Sequence, residues 1–309
     1  MIKTENLRKE YGTLVAVDDL NLEIAEGDIF GFIGPNGAGK TTTIKVFATL
    51  LKPTAGKAYI NGIDVQANHQ EVRPLIGYMP DFFGVYDDVK VWEYLDFFAS
   101  AYRIPKADRP EKIDYVLNLT NLMVKKDSFV EELSRGMKQR LCLAKTLIHD
   151  PKVLLLDEPA SGLDPRARIE IKELLKQLKS MGKTILISSH ILPELADFCN
   201  KIGIIEKGRL IIAGDVRKIM DEVAGARILE IRVMDGGQEK ALEVITALKF
   251  IKDAKPVDGI LRAEFAGTLD DQCAVLRALI QADVKILSFA EQATDLEDIF
   301  MKVTKGIVS

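Results

Sequence analysis

The 309-residue sequence holds only three cysteines, Cys142, Cys199 and Cys273, and their separation matches no metal-binding or redox spacing. All three are expected to be reduced and structural. No apolar run approaches the roughly 18–20 residues that a helix needs to cross a bilayer. The start, Met1-Ile2-Lys3-Thr4-Glu5-Asn6, lacks an apolar stretch and carries an early acid. No cleaved leader is therefore expected, and the chain reads as one made and kept in the cytoplasm. An excess of basic charge is also missing. The 42 Lys and Arg against 46 Asp and Glu leave a net charge of −4, which argues against nucleic acid as the main partner, because phosphate-backbone binding wants a basic footprint. There is no internal repeat, no low-complexity tract and no sustained heptad pattern. What is present is 47% hydrophobic and 28% charged, ordinary for a globular protein and long enough for two domains rather than one.

Apolar runs predict strands over 2–7, 20–25, 29–33, 57–60 and 76–79, with a helix over 41–51 that Pro53 stops. From 91 to about 121 the period turns helical. Val91, Tyr94, Leu95 and Phe98 share one face, and Ile113, Val116, Leu117 and Leu119 repeat the signal after Pro110. This reads as a helical insertion in an α/β domain. Next come a helix over 136–149, a continuous apolar strand over 153–156, a helix over 169–180, a strand over 184–188 and a helix over 192–198. A hairpin over 202–206 and 209–213 turns at Lys207-Gly208. A linking helix over 216–223 and a joint at Ala224-Gly225-Ala226 lead to strand 228–233, helix 239–248, strands 251–257 and 260–265, helix 270–281 and strand 284–289. That order, β-α-β-β-α-β, is ferredoxin-like, and a last helix is predicted over 296–303. The expected domains are 1–220, with a helical subdomain over about 85–150, and 227–309.

The most specific motif is Gly34-Pro35-Asn36-Gly37-Ala38-Gly39-Lys40-Thr41, a G-x-x-x-x-G-K-[ST] loop between an apolar strand and a helix. Gly34, Gly37 and Gly39 let the backbone curl so that its N–H groups point at phosphate oxygens, and Ala38 and Thr42 fall in the same cradle. Lys40 places a positive charge on the β- and γ-phosphates, and Thr41 offers a hydroxyl to Mg²⁺. The following helix aims its positive end at the same anion. The expected cofactors are ATP and Mg²⁺. A second motif, Val153-Leu154-Leu155-Leu156-Asp157-Glu158-Pro159, delivers two acids at the end of a strand expected to lie next to the phosphate-loop strand. Asp157 is expected to hold Mg²⁺, and Glu158 to polarise the attacking water.

Further segments resemble the ATP-binding subunits of ABC transporters. Leu133-Ser134-Arg135-Gly136-Met137 is similar to the family signature, usually written L-S-G-G-Q; Ser161-Gly162-Leu163-Asp164 is similar to its D-loop. His190, after Ile187-Ser188-Ser189, sits where the family has its switch histidine, and Tyr11 where it has the aromatic that stacks on adenine. The resemblance covers about residues 1 to 220, with the motifs in the family's order. It implies a P-loop ABC cassette with a helical insertion, followed here by a small ferredoxin-like α+β domain. It also implies a head-to-tail homodimer, in which Ser134, Arg135, Gly136 and Asp164 face the nucleotide of the second copy. Glu158, His190 and Lys40 would then be catalytic.

Two positions depart from the family pattern. Arg135 and Met137 replace the signature's first glycine and its glutamine, while Ser134 and Gly136 are kept. Asp81 replaces the Q-loop glutamine and is expected to remain on the metal side. The aromatic stretch Phe82-Phe83-Gly84-Val85-Tyr86 follows, where the family receives the coupling helix of its membrane subunit. Some of these aromatics are expected in the core and some in an exposed docking groove. His69 and His149 have no such context and read as structural.

The resemblance therefore implies an ATPase, peripheral on the cytoplasmic face of the membrane, that drives a separate integral-membrane permease. The ending Asp295-Leu296-Glu297-Asp298-Ile299-Phe300 resembles the drug- and antibiotic-exporter subgroup of the ABC-2 type, which favours export. The alternative is a soluble ABC ATPase acting on ribosomes or DNA. Such proteins usually carry two cassettes, coiled-coil arms or zinc modules, and the sequence shows none of them.

Overall fold

In the computed structural model, which describes residues 1–82, 84–190, 195, 198–223, 227–234 and 236–291, the chain divides into two compact units, Met1–Val216 and Arg217–Ser309. The first begins with β1 (Ile2–Tyr11), β2 (Leu14–Leu20), β3 (Glu23–Ile24) and β4 (Ile29–Ile33), which feeds α1 (Lys40–Phe47). β5 (Ala55–Ile60), β6 (Ile63–Asp64), α2 (His69–Val72) and β7 (Ile76–Met79) follow, then α3 (Val91–Ala101), α4 (Arg109–Leu119) and α5 (Arg135–Leu147). β8 (Val153–Asp157), α6 (Pro165–Ser180), β9 (Thr184–Ser189), β10 (Lys201–Glu206) and β11 (Arg209–Asp215) complete it. α7 (Val216–Val223) precedes β12 (Arg227–Val233), α8 (Gln238–Thr246), β13 (Ile251–Val257), β14 (Ile260–Phe265), α9 (Leu269–Gln281) and β15 (Ile286–Glu291).

The sheet that positions the site has the order β11-β10-β4-β9-β8-β7, parallel except for β11. Every residue of β4, β8 and β9 is buried. Strands covered on both faces have no solvent side to alternate with, so they read as unbroken apolar runs. Phe30, Phe32, Ile44, Phe47, Leu155 and Leu186 share one core there. This order corrects one expectation: β8 does not adjoin the phosphate-loop strand β4, because β9 is inserted between them. Chain order cannot reveal such an insertion, since every strand in the set is equally apolar.

A second, antiparallel sheet runs β2-β1-β5-β6, with β3 also on β1. The strand predicted over 20–25 is in fact the end of β2 and the short β3. The chain breaks at Asn21-Leu22, where the Leu22 N–H donates to Thr4 Oγ1 at 2.9 Å instead of continuing a ladder. The helical stretch from 91 to 121 is two helices. Arg103 takes a φ of 60° just past α3, a conformation no helix continues through, and Pro110 stands in the first turn of α4.

In the C-terminal unit the sheet order is β13-β14-β12-β15, all antiparallel. Leu229, Ile231, Leu261 and Phe265 pack with Ala241 and Ile245 of α8 and Val275 and Leu279 of α9. This is the ferredoxin-like arrangement that the element order predicts. Thr268 caps α9 and pairs reciprocally with Asp271. Cys142 and Cys199 are buried, but Cys273 is exposed; two residues before Val275 on a helix, it points away from the buried stripe. It is therefore not a core residue. The predicted helix over 296–303, most of that over 192–198, the joint at 224–226 and Phe83 lie outside the described residues. Among the described residues, no helix is long and apolar enough to cross a membrane.

Candidate active site

The phosphate loop leaves the buried end of β4 and enters α1 through Gly39, whose φ is 107°. A Cβ on Gly39 would lie 2.4 Å from the Ala16 carbonyl oxygen, and one on Gly34 would lie 2.3 Å from that of Ile205. Both positions thus exclude any side chain. Pro35, Asn36 and Gly37 are exposed, Ala38 is buried, and Thr41 and Thr42 open the helix. Lys40 is only 6% exposed. Its Nζ donates to the carbonyls of Gly34 at 2.5 Å and Pro35 at 3.3 Å, and lies 3.6 Å from Glu158 Oε1. The loop therefore gathers a buried cation and the free N–H groups of a helix start at one place, which is what a phosphate chain requires.

The two acids hang from the end of β8. Parallel register places Asp157 beside Ser188 of β9. Ser188 Oγ donates to Asp157 Oδ1 at 2.6 Å and accepts from the Glu158 N–H at 3.0 Å. Thr41 Oγ1 also donates to Asp157 Oδ1, at 3.2 Å. The other oxygen, Oδ2, is buried with no hydrogen-bond partner among the described residues. A hydroxyl and a carboxylate with a spare oxygen form a hard-donor set, which fits Mg²⁺. Glu158 sits at a φ of 50°, a strained value for a non-glycine residue. This turn places its Oε1 near Lys40, while Oε2 accepts from His190 Nδ1–H at 2.9 Å. Lys40, Glu158 and His190 are thus in contact. Ser188 is the functional residue that motif reading misses, since there it serves only as a marker for His190. The signal that identifies it is the β8–β9 register.

The remaining predicted residues fall at other places. Ser134 is the N-cap of α5, its side chain accepting from the Met137 N–H at 3.3 Å. The first turn of α5 carries Arg135 and Lys138 and no acid, whereas a helix start normally prefers negative charge by about 0.3–1 kcal/mol per residue. Lys138 is neutralised by Asp87 at 2.7 Å; Arg135 has no hydrogen bond or ion pair among the described residues. Gly136 packs towards Leu163 and Ala167. Asp164 caps α6, accepting from the Ala167 N–H at 2.9 Å. Tyr11 ends β1, half exposed, with Lys9 Nζ 5.1 Å from its ring centre.

Asp81 is exposed beyond β7, and among the described residues no hydrogen bond joins it to Thr41 or Asp157. Its charge is nevertheless felt nearby: the Tyr78 phenol is pushed up to about 12, first by burial and then by Asp157 and Asp81. Phe82 is 88% exposed, and Tyr86, also exposed, packs edge-on against Phe97. His149 stacks on Tyr102 and donates from Nε2 to the Ile76 carbonyl at 2.9 Å, a packing role. His69 is exposed on α2.

The family profile described as ABC transporter matches residues 17–161. The chain is 36% identical to the bacitracin transport ATP-binding protein BcrA of Bacillus licheniformis, over 99% of this chain and 98% of that protein. The chain belongs to the ATP-binding subunits of ABC transporters. The ABC subunit is also 33% identical to Nod factor export ATP-binding protein I of Ralstonia nicotianae, over 98% of this chain and 94% of that one. Among solved structures it is similar to a dimeric post-hydrolysis ATP-binding cassette bound to ADP and Pi, with a TM-score of 0.64 and 26% identity over 70% of this chain and 99% of that chain. A component of an ABC transporter complex from Clostridium perfringens matches with a TM-score of 0.66 and 29% identity, over 72% and 90% of the two chains. The ABC subunit binds ATP and hydrolyses it. Its fold is the P-loop cassette.

Proposed function

We propose that this ATPase closes as a head-to-tail homodimer on ATP and drives a separate integral-membrane permease as an exporter, from the cytoplasmic face of the membrane. The observation that carries this reading is the pairing of two half-sites of opposite character on one chain. One is the meeting of Lys40 from the phosphate loop with Glu158 and His190 from the ends of β8 and β9. The other is the exposed start of α5, with Ser134, the cation Arg135 and no acid, which suits a phosphate offered from outside. Residues 1–220 form the ATPase domain, with the helical part at about 85–150, and 227–309 form an accessory domain that braces or regulates the dimer. Export is read from the relatives, which are named for Nod factor export and bacitracin transport.

Each residue then has a task. The loop from Gly34 to Thr42 wraps the phosphates, Tyr11 stacks on adenine, and Lys40 exchanges its carbonyl partners for the β- and γ-phosphate oxygens. Thr41 and Asp157 hold Mg²⁺, with Asp81 on the metal side. The ion, when bound, neutralises charge on the phosphates. Glu158 accepts the proton of the attacking water, and His190, fixed through Nδ1, holds the ring against the γ-phosphate. From the second copy, Ser134, Gly136 and Arg135 bind that phosphate, while Asp164 lies across the same interface.

The test is Glu158→Gln, assayed for ATPase activity and by size-exclusion chromatography. The expected result is lost turnover and an ATP-trapped dimer. Normal hydrolysis would remove Glu158 from its role. Co-purification with a multi-span membrane protein tests the permease, and association with ribosomes or DNA instead would overturn it.

A further inference from the structure

The phosphate loop is held by backbone outside its own motif. The Ala16 carbonyl of β2 presses on Gly39 and the Ile205 carbonyl of β10 on Gly34. These two strands belong to different sheets, so the loop passes between the sheets. The turn of the β10–β11 hairpin joins them beside it. Lys207 and Gly208 have φ values of 48° and 82°, the left-handed pair that closes a two-residue hairpin. Gly208 lies against β2, where a Cβ would stand 2.9 Å from the Ala16 carbonyl oxygen. Its carbonyl accepts from the Asp18 N–H at 2.9 Å, and its own N–H donates to the Ala38 carbonyl of the phosphate loop at 3.0 Å. That second bond fixes a peptide plane. The Ala38 C=O and the Gly39 N–H share one trans peptide and point in opposite directions. Tying the carbonyl to the hairpin therefore aims the Gly39 N–H away from the hairpin, across the loop.

The turn is itself fastened by charge. Arg209, the next residue, donates from Nε and Nη2 to Asp18 Oδ2 at 2.9 and 2.7 Å, and Arg8 of β1 pairs with Asp18 Oδ1. Isolated surface ion pairs contribute little, but several charges in one network with good geometry contribute more. The Asp18 side chain, 16% exposed, is largely withdrawn from water.

We propose that Asp18 and Arg209 are positioning residues for nucleotide binding: they fasten the Lys207-Gly208 turn to β2, and the turn holds the Ala38 peptide so that the Gly39 N–H meets the phosphate chain. The proposal rests on the phosphate-loop reading and adds to it a group far from the motif in sequence. A donor that serves the bound phosphates before and during hydrolysis alike contributes uniform binding. Its loss therefore raises KM and leaves kcat nearly unchanged.

The experiment uses the full-length chain and measures the Kd for ADP with Mg²⁺ by titration calorimetry, alongside ATPase kinetics and the ligand-free melting temperature. Arg209→Ala should weaken ADP binding about tenfold, the loss expected when one charge-assisted hydrogen bond to the ligand is misaligned. KM for ATP should rise by a similar factor, with kcat within about twofold of the parent. Arg209→Lys, which keeps the charge but not the two-donor geometry, should recover part of the affinity. Asp18→Asn should weaken ADP to about the same extent as Arg209→Ala, and the double variant should lose no more than the worse single one, because the two act as one unit. Lys40→Ala in the same assay tests the phosphate loop itself and should weaken ADP. Parental ADP affinity in Arg209→Ala, with or without a lower melting temperature, or additive losses in the double variant would overturn the proposal while leaving the loop reading intact. Parental ADP affinity in Lys40→Ala would overturn both.

Discussion

Ser188→Ala isolates the one hydroxyl that serves both acids. Ser188 is fully buried, and its Oγ makes a 2.6 Å bond to Asp157 and receives the Glu158 N–H at 3.0 Å. A hydrogen bond to a charged group contributes about 1.5–3 kcal/mol, and an N–H left unpaired in a buried site adds to the loss, so the variant should be about 2–4 kcal/mol less stable. For a unit of this size each kcal/mol moves the melting temperature by about 2–4 °C, which gives a fall of roughly 5–15 °C. The chain has a single tryptophan, Trp92 on α3. Its fluorescence therefore reports the first unit without interference from the second. Turnover should suffer as well, since the hydroxyl holds the strained turn that points Glu158 at Lys40 and His190. A displacement of an ångström at such a site costs on the order of 100-fold. Ser188→Cys, of similar size but a weak donor, should fall between parent and alanine. A Ser188→Ala protein that melts within about 1 °C of the parent, with unchanged kcat, would refute the reasoning.

Asp81→Ala should change the Mg²⁺ dependence of the ATPase while leaving the ligand-free melting temperature almost unaltered, because an exposed surface carboxylate contributes within about 0.5 kcal/mol to stability; magnesium titration of activity checks this, and an unchanged profile removes Asp81 from the metal side. His149 carries a pH signature of its own. Burial lowers its pKa from the ordinary 6.5, so the unfolded chain takes up the proton first as pH falls, and stability present above about 6.5 is lost below it. His149→Gln, which retains a donor for the Ile76 carbonyl, should flatten the melting temperature in that window. Asp28 acts lower on the scale. Burial works to raise its pKa, but hydrogen bonds from Lys201 and Asn200 outweigh that and hold it below 3.8, so its stabilisation is lost only as pH falls through that depressed value and the two effects separate in a pH series.

Much of the fold was legible because local chemistry and tertiary context agree. The strands over 29–33 and 76–79 end where the sequence places them, since a buried run closed by a glycine turn or a proline has few alternatives. The same holds for β13 and β14, which flank a turn at Asp258-Gly259 with positive φ at both residues. The reading failed where a tertiary hydrogen bond replaced a local one, as at Leu22 and Thr4. The break between α3 and α4 is marked in sequence only from its far side, by Pro110. Arg103, in a left-handed conformation there, has no sequence mark that distinguishes it from any other exposed arginine.

The site divides along the same line. Lys40, Thr41, Asp157 and Glu158 are legible because each chemistry is carried by neighbours in sequence: a loop folds on itself and a strand presents the two residues at its end. Ser188 is not, because its role exists only through the pairing of β8 with β9, and chain order suggested a different neighbour for β8. Arg135 shows the limit from the other side. The signature marks it as a departure, and its charge at a helix start is locally unfavourable, so the sequence signals that something compensates. What lies against it is a glycine 27 positions later, held by the turn after Glu158. A residue that breaks a local rule is therefore informative in sequence only as a question; the answer lies in whichever backbone the fold brings against it.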